Sequence, residues 1–409
     1  MQVQIGRIKK DIDAIGEFTA TPGKGITRLT FSQEYEKARS YIVEELRKID
    51  AKVSITVAGN LRGRLEGSDK GKPVVMLGSH IDSVYQGGRF DGVVGVVSAL
   101  EAARVIVDNN IAHRYPIDVV VFPEEEGSRF GSILVGSRAW AGKLSLDELS
   151  RLKDEQGIDY LKAMKQMDIT PEDENILIPE QVKAMLELHI EQSLVLESKS
   201  LKIGVVEAIA GIRQFSVTLN GVSNHAGATP MSLRFDALQG AAEIISAVED
   251  IANQHARKST VATVGFLKCE PGQANVIPGR VQFTLDIRDT DSGSLDETVE
   301  KITTLIANTC QNRGLTYNLE PRSDTPPVVL SEKMVHLIER IARKRKLGTL
   351  RMISGALHDS SILAELTDVG MIFIPSKRGR SHCPEEFTDI GDIELGANVL
   401  LETAIELAT

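Results

Sequence analysis

Residues 77–95 read LGSHIDSVYQGGRFDGVVG. They follow Pro73-Val74-Val75-Met76, so the apolar run has the length of a buried strand. The stretch then places His80, Asp82 and Asp91 around a Gly87-Gly88 turn. After Gly92, Val93 to Val107 carries apolar residues at helical spacing. A histidine and two carboxylates therefore stand where a strand ends and a helix begins, the edge at which open α/β sheets form ligand sites. A metal site is the first expectation. A Gly-Gly turn entering a helix also suits phosphate. However, neither G-x-G-x-x-G nor G-x-x-x-x-G-K-[ST] is present in the stretch, and carboxylates repel phosphate unless a cation intervenes.

Working outward, the chain alternates helices and strands. Ile5–Phe18 and Gln33–Ile49 have helical periodicity, the second with Thr30 or Ser32 as its cap. Lys52–Val57 and Asn60–Leu65 alternate as paired strands do. Ile117–Phe122 is a buried strand running into Glu124-Glu125-Glu126, and Lys183–His189 is another, running into Ile190-Glu191-Gln192. Leu144–Met167 looks helical and surface-exposed. Near-continuous apolar strands between helices predict an α/β domain with a mainly parallel sheet flanked by helices. The pattern changes after about Ala208. Strands at Gln214–Leu219, Thr260–Lys268, Arg280–Ile287 and Thr316–Glu320, with helices at Leu233–His255 and Leu295–Cys310, give the order β-α-β-β-α-β. That is a ferredoxin-like α+β unit. Helices at Val335–Arg345, His358–Leu366 and Asp392–Leu407, and strands at Leu350–Ile353 and Met371–Ile374, then restore the first pattern. The expected division is residues 1–208 with 325–409, interrupted by an inserted domain at 209–324.

Composition narrows the function. Net charge is −10, which disfavours nucleic-acid binding through a basic surface. Three widely spaced cysteines, Cys269, Cys310 and Cys383, form neither a disulfide framework nor a cysteine-rich zinc site. A reducing, cytoplasmic setting fits them. The polar start, Met1 to Lys10, lacks the apolar core of a signal peptide. No apolar run has the roughly 18 residues a spanning helix needs, so no membrane partner is expected.

Of the eight histidines, His80, His189 and His382 each end or follow a predicted buried strand of the larger domain, and Asp91 and Glu126 do likewise. Five nitrogen and oxygen ligands without sulfur suit zinc, manganese, cobalt or nickel. They supply six ligand positions, three for each of two ions, if one carboxylate bridges ions about 3.5–4 Å apart. Asp91, short and held at the Gly92 turn, is the best bridge. Asp82, two residues after His80 in extended chain, faces the same side and is placed to accept the second ring N–H of His80. Glu125 and Glu126 are adjacent and point to different sides. One can bind metal while the other serves as base to the attacking water, which leaves Glu124 as the expected solvated member.

The segments GSHID, FDG, EEEG, ELHIEQ and SHCPEE resemble the dimetal M20 peptidase superfamily. SNHAGATPM, ELHIEQ and SGALHDS more narrowly resemble its hydantoinase/carbamoylase branch, which includes N-carbamoyl-L-amino acid hydrolases and allantoate amidohydrolases. The resemblance spans nearly the whole chain. It implies two divalent ions, one held by His80, Asp91 and His189, the other by Asp91, Glu126 and His382. It implies Glu125 as general base and Asp82 as orienting carboxylate. It also makes the inserted domain a lid and dimerisation domain, with His225 reaching the partner subunit of a homodimer. Asn275, Arg288, Gln192 and His358 match substrate-binding positions. The implied substrate is a small ureido or N-carbamoyl carboxylate, with an aminoacylase or dipeptidase as the alternative on the same fold and a non-catalytic binding protein as the alternative of another class. The segments EEEGSRF, GVSNHAG and FIPS lean slightly toward the allantoate enzymes. Ser193, Leu357 and Cys383 depart from the usual pattern, and Leu357 is placed to narrow the pocket.

Overall fold

In the computed structural model, which describes every residue except 70, 174 and 255–258, residues 74–80 are a fully buried strand and residues 93–108 a helix buried on nearly every side. A helix apolar all round belongs in the interior. This one packs between the sheet and three other helices. The chain divides into one unit of Met1–Glu207, Leu330–Met352 and His358–Thr409 and a second of Ala208–Val329 with Ile353–Leu357.

The first unit begins with α1 (Ile5–Gly16) and α2 (Gln33–Arg47), the latter capped by Ser32, whose side chain accepts the Tyr35 N–H. Then come β1 (Lys52–Ile55), β2 (Leu61–Leu65), β3 (Val74–His80), α3 (Val93–Asp108) and β4 (Ile117–Phe122). Next are α4 (Val135–Trp140), α5 (Leu146–Arg151), α6 (Tyr160–Gln166), β5 (Val182–Ile190), α7 (Val195–Lys199) and β6 (Ile203–Ile209). The single exposed helix expected at Leu144–Met167 is instead α5 and α6. Ser145 and Glu148 form a capping box on α5, Asp159 caps α6, and Gly157 turns the chain between them with φ +77°. Nor is the segment wholly exposed, because Tyr160 is buried and its hydroxyl donates to the Ala58 carbonyl at 2.9 Å.

The second unit contains β7 (Gly211–Asn220), β8 (Asn224–His225), α8 (Ala237–Asn253), β9 (Val261–Thr263), β10 (Leu267–Glu270), β11 (Val276–Ile277) and β12 (Arg280–Asp289). It continues with α9 (Ser292–Arg313), β13 (Thr316–Thr325) and β14 (Val328–Val329). Its sheet runs β10-β12-β7-β13, all antiparallel, with β9 also on β12. Alternate residues such as Val217, Leu219, Phe283 and Ile287 pack with Ile244, Val248, Ile302 and Ile306 of α8 and α9. The strand expected at Thr260–Lys268 is two short ones, broken around Gly265. His255, expected at the end of the first helix, lies outside the described residues. The short piece Ile353–Leu357 joins this unit through backbone and side chain, the Ala210 N–H donating to the Ser354 carbonyl at 2.8 Å and Arg288 to the Gly355 carbonyl at 2.7 Å.

The chain then supplies α10 (Glu332–Lys344), β15 (Thr349–Ser354), α11 (Asp359–Leu363), β16 (Asp368–Ile374) and α12 (Ile390–Ala408). The order across the main sheet is β1-β2-β4-β3-β5-β16-β6-β14, with β15 also on β6. The central run β4-β3-β5-β16 is parallel and its flanks are antiparallel. Sheet and helices share one apolar core. Burying each of its Val, Leu or Ile side chains contributes about 1.5–3 kcal/mol. No helix among the described residues is long and apolar enough to cross a membrane.

Candidate metal centre

The parallel register brings the candidate residues to one edge. His80 ends β3 opposite Phe122, so it stands beside the Glu124-Glu125-Glu126 turn that follows β4. His189, near the end of β5, pairs with Phe373 of β16. Four parallel strands thus end together, and the loops after them carry the remaining groups.

Asp91 sits at the centre. Its Oδ1 lies 3.6 Å from His80 Nε2 and 3.2 Å from His189 Nε2, while its Oδ2 lies 3.3 Å from His382 Nε2. His382 Nε2 is also 3.4 Å from Glu126 Oε2. Two ligand triads result, His80/Asp91/His189 and Asp91/Glu126/His382, each compact enough for one ion and joined through the two oxygens of one carboxylate. Gly92 makes this possible. It has φ +65°, and a Cβ there would lie 2.5 Å from the His80 ring.

The proton positions fit a cation at the first triad. His80 Nδ1 lies 3.1 Å from the Asp82 carbonyl and His189 Nδ1 2.9 Å from the Ile190 carbonyl. Carbonyls only accept, so both Nδ1 atoms carry the proton. The Gly92 N–H, which donates to His189 Nε2 at 3.2 Å, requires the same tautomer. The Nε2 atoms of both rings then face one carboxylate oxygen, an arrangement that suits a cation between them. The carboxylates and histidines of the site also favour one another's charged forms. Burial opposes ionisation of Asp91, yet the three histidines outweigh it and hold its carboxyl well below the usual range. Burial likewise opposes charging His80, but Glu125 and Asp91 raise it well above an ordinary imidazole.

Glu125 and Glu126 face different ways, as their adjacency requires. Glu125 Oε2 lies 3.7 Å from His80 Nε2, and Glu126 turns to His382. Burial pushes the Glu125 carboxyl well above its normal range, and burial with the Asp91 charge pushes Glu126 up to about 7.

Two expectations are corrected. Glu124 is not solvated. It is wholly buried with φ +56°, and its Oε1 accepts the Arg129 and Phe130 N–H groups at 3.0 and 2.7 Å, which closes the acidic turn on itself. The second ring N–H of His80 goes to the backbone carbonyl of Asp82 and not to its carboxylate, which is 3.7 Å away. That carboxylate instead accepts the Glu126 N–H at 3.1 Å, and its Oδ1 has no hydrogen-bond donor. Asp82 therefore orients both the histidine and the glutamate turn, one through its backbone and one through its side chain.

The remaining candidates separate by unit. Gln192, with φ +51°, donates from Nε2 to Asp91 Oδ2 at 2.8 Å. His358 is buried at the start of α11 with its ring 4.6 Å from that of His189, and burial holds it well below the ordinary imidazole value. Glu187, His189 and His358 also cluster closely enough for a metal. The oxygens of Glu187, however, already accept the Ser79 and Ser360 hydroxyls at 2.6 and 2.5 Å. His225, Asn275 and Arg288 belong to the second unit. There β8 pairs with β11, setting His225 opposite Val276, next to Asn275. His225 Nδ1 accepts the Gly227 and Ala228 N–H groups at 3.1 Å each, so its neutral ring presents Nε2–H as a donor. Arg288 is paired with Asp286, at 2.8 and 3.0 Å.

Two residues near the site went unnoticed in the sequence. Arg28 is fully buried, and its guanidinium donates to the carbonyls of Ile81, Ile15 and Phe18, fixing the exit of β3. Nothing about a lone arginine in a loop signals this. Glu386 is the other. Its doublet with Glu385 carried the same signal as Glu125-Glu126, because Glu385 faces outward to Arg380 while Glu386 is buried.

Residues 76–406 match Peptidase family M20/M25/M40. The chain belongs to this family. Among curated relatives of this M20 chain, an N-carbamoyl-L-amino-acid amidohydrolase of Paenarthrobacter aurescens is 40% identical over 402 residues, covering 98% of this chain and 97% of the relative. An allantoate amidohydrolase of Escherichia coli is 34% identical over 407 residues, covering 98% and 97%. The crystal structure of a hydantoinase/carbamoylase family amidase from Burkholderia multivorans superposes with a TM-score of 0.94 at 34% identity, covering 100% of this chain and 98% of that one. The family and these relatives make the M20 chain a hydrolase of carbon–nitrogen bonds other than peptide bonds, and its His/Asp/Glu groups suit a divalent metal.

Proposed function

We propose that the protein hydrolyses the ureido group of an N-carbamoyl-L-amino acid, releasing ammonia, carbon dioxide and the amino acid. The observation that carries this is the pair of triads sharing Asp91, with Glu125 turned toward the same space. The choice of substrate follows the relatives, since the N-carbamoyl-L-amino-acid enzyme is 40% identical and the allantoate enzyme 34%. That preference runs against the slight lean of EEEGSRF, GVSNHAG and FIPS toward the allantoate enzymes, so both substrates enter the test.

His80, Asp91 and His189 would hold one divalent ion and Asp91, Glu126 and His382 the other. Such ions supply positive charge that acidifies water and polarises a carbonyl. The chain's own groups do the proton work. Glu125, desolvated and adjacent to both triads, takes a proton from the attacking water and returns it to the leaving nitrogen. Asp82 fixes the His80 ring and the Glu126 turn. Gln192 and His358 line the substrate side in this proposal, as do Asn275 and Arg288, whose guanidinium suits a carboxylate. His225 donates its Nε2–H to the developing oxyanion, reaching across a homodimer whose contacts the second unit provides. The three unpaired cysteines accord with a reducing cytoplasmic setting.

The deciding experiment is ammonia release from N-carbamoyl-L-amino acids, allantoate and β-ureidopropionate with manganese, zinc and cobalt in turn. Turnover highest on the carbamoyl amino acids is expected. Turnover of acyl-amino acids or dipeptides alone would move the protein to the aminoacylase class. Cross-subunit action has its own test. A mixed dimer of Glu125→Gln and His225→Ala chains is expected to recover activity that neither homodimer has, and a mixed dimer as inactive as its parents would refute it.

A further inference from the structure

The two triads differ in what holds them. His80 and His189 stand on neighbouring parallel strands, whereas Glu126 and His382 stand on loops, and His382 itself has φ +55°. Something must brace those loops. Glu386, only 4% exposed, belongs to the His382 loop and reaches across to the Asp91 turn. Its Oε1 accepts the backbone N–H groups of Phe90 and Asp91 at 2.9 and 3.1 Å. Its own N–H donates to the Cys383 carbonyl at 3.1 Å, closing the turn that follows His382. Its Oε2 lies 2.8 Å from Ser381 Oγ, and the same hydroxyl lies 2.9 Å from Asp91 Oδ2, the oxygen that faces His382. The approach is so close that a Cβ on Gly88 would sit 2.0 Å from the Glu386 carboxyl. The second glycine of the Gly87-Gly88 pair is therefore explained by room for this side chain.

We propose that Glu386 is the positioning residue that clamps the Asp91 turn to the His382 turn, and thereby sets the affinity of the Asp91/Glu126/His382 position for its metal ion. The inference rests on the two-ion proposal above. Glu386 touches neither ion nor substrate in this role and acts through Asp91 and Ser381. What it contributes is hydrogen bonds rather than charge. A glutamine would accept the same two amides through Oε1 and donate through Nε2 to Ser381, leaving the serine proton for Asp91.

The test is Mn²⁺ binding to full-length, chelator-stripped protein, with free Mn²⁺ counted by electron paramagnetic resonance. Wild type is expected to take up two ions per chain. Glu386→Ala should weaken one of them by on the order of 10–100-fold, the effect of losing an outer-sphere partner, and leave the other unchanged. Glu386→Gln should restore both to near wild-type affinity, a rescue that a general loss of packing would not give. Ser381→Ala should weaken the same single ion by a smaller factor, and it decides the matter if Glu386→Ala does not fold. Wild-type affinity for both ions in Glu386→Ala or Ser381→Ala would overturn the clamp, and so would a Glu386→Gln protein as impaired as Glu386→Ala. A wild type that takes up only one ion would overturn the two-ion proposal itself, a result distinct from two ions bound equally well by wild type and variants.

Discussion

The two halves of the candidate metal centre share one carboxylate and differ in construction. In the half formed by His80 and His189, the ligands end adjacent parallel strands, and their Nδ1 protons go to backbone carbonyls. In the half formed by Glu126 and His382, the ligands ride on loops, and the His382 side chain remains 49% exposed. The first half inherits its precision from the sheet ladder. The second must be assembled from side-chain hydrogen bonds. If two ions bind as proposed, the strand-held and loop-held positions should differ in affinity and in sensitivity to mutation.

The sharpest way to break the comparison is at the shared residue. Asp91→Ala removes a ligand from both halves, so both ions should be lost together. Activity should fall by more than the roughly 10²–10³-fold that loss of one transition-state donor costs. Metal analysis after gel filtration, alongside ammonia release, checks this, and retention of either ion at full affinity would show that Asp91 does not join the halves. A smaller, one-sided effect is expected of His382→Ala. It should weaken one ion by more than the roughly 10–100-fold typical of an outer-sphere partner, while the strand-held ion stays bound in a Mn²⁺ titration. Equal weakening of both ions would erase the distinction.

The smallest effect concerns His358, packed behind His189 and held neutral. Its folded-state value is lowered, so as pH falls below the unfolded value of about 6.5 the unfolded chain gains a proton that the folded chain refuses. Stability from this residue is thus present above that pH and lost as pH falls. The slope cannot exceed about 1.4 kcal/mol per pH unit for one proton. Urea unfolding of metal-free wild type and His358→Asn between pH 7 and 5 should give a shallower decline for the variant. Parallel declines would mean that the buried ring titrates alike in both states.

How much of this was legible in the sequence depends on what fixes each residue. His80, Asp91, Glu126, His189 and His382 could be found because buried strands are recognisable from apolar runs, and a parallel sheet sends their ends to one edge. The two helices and the main strands β7, β12 and β13 of the second unit were legible for a related reason, since half-buried strands and amphipathic helices carry different periods. Glu124 was misjudged because its exposure depends on a positive φ and on two amides a few residues away. Arg28 and Glu386 escaped notice because their partners, Ile81 in one case and Phe90 with Asp91 in the other, are distant in sequence.

The sequence by itself determined the succession of the main strands and helices, the parallel centre of the main sheet and the set of candidate ligands, because hydrophobic period and residue chemistry are local properties. Tertiary structure alone decided which oxygen of Asp91 faces which histidine, and that Asp82 reaches His80 through its carbonyl. It alone decided too that Gly88 leaves space for Glu386. Those are distances of a few ångströms between segments far apart in the chain, set by packing and by hydrogen bonds that no local pattern records.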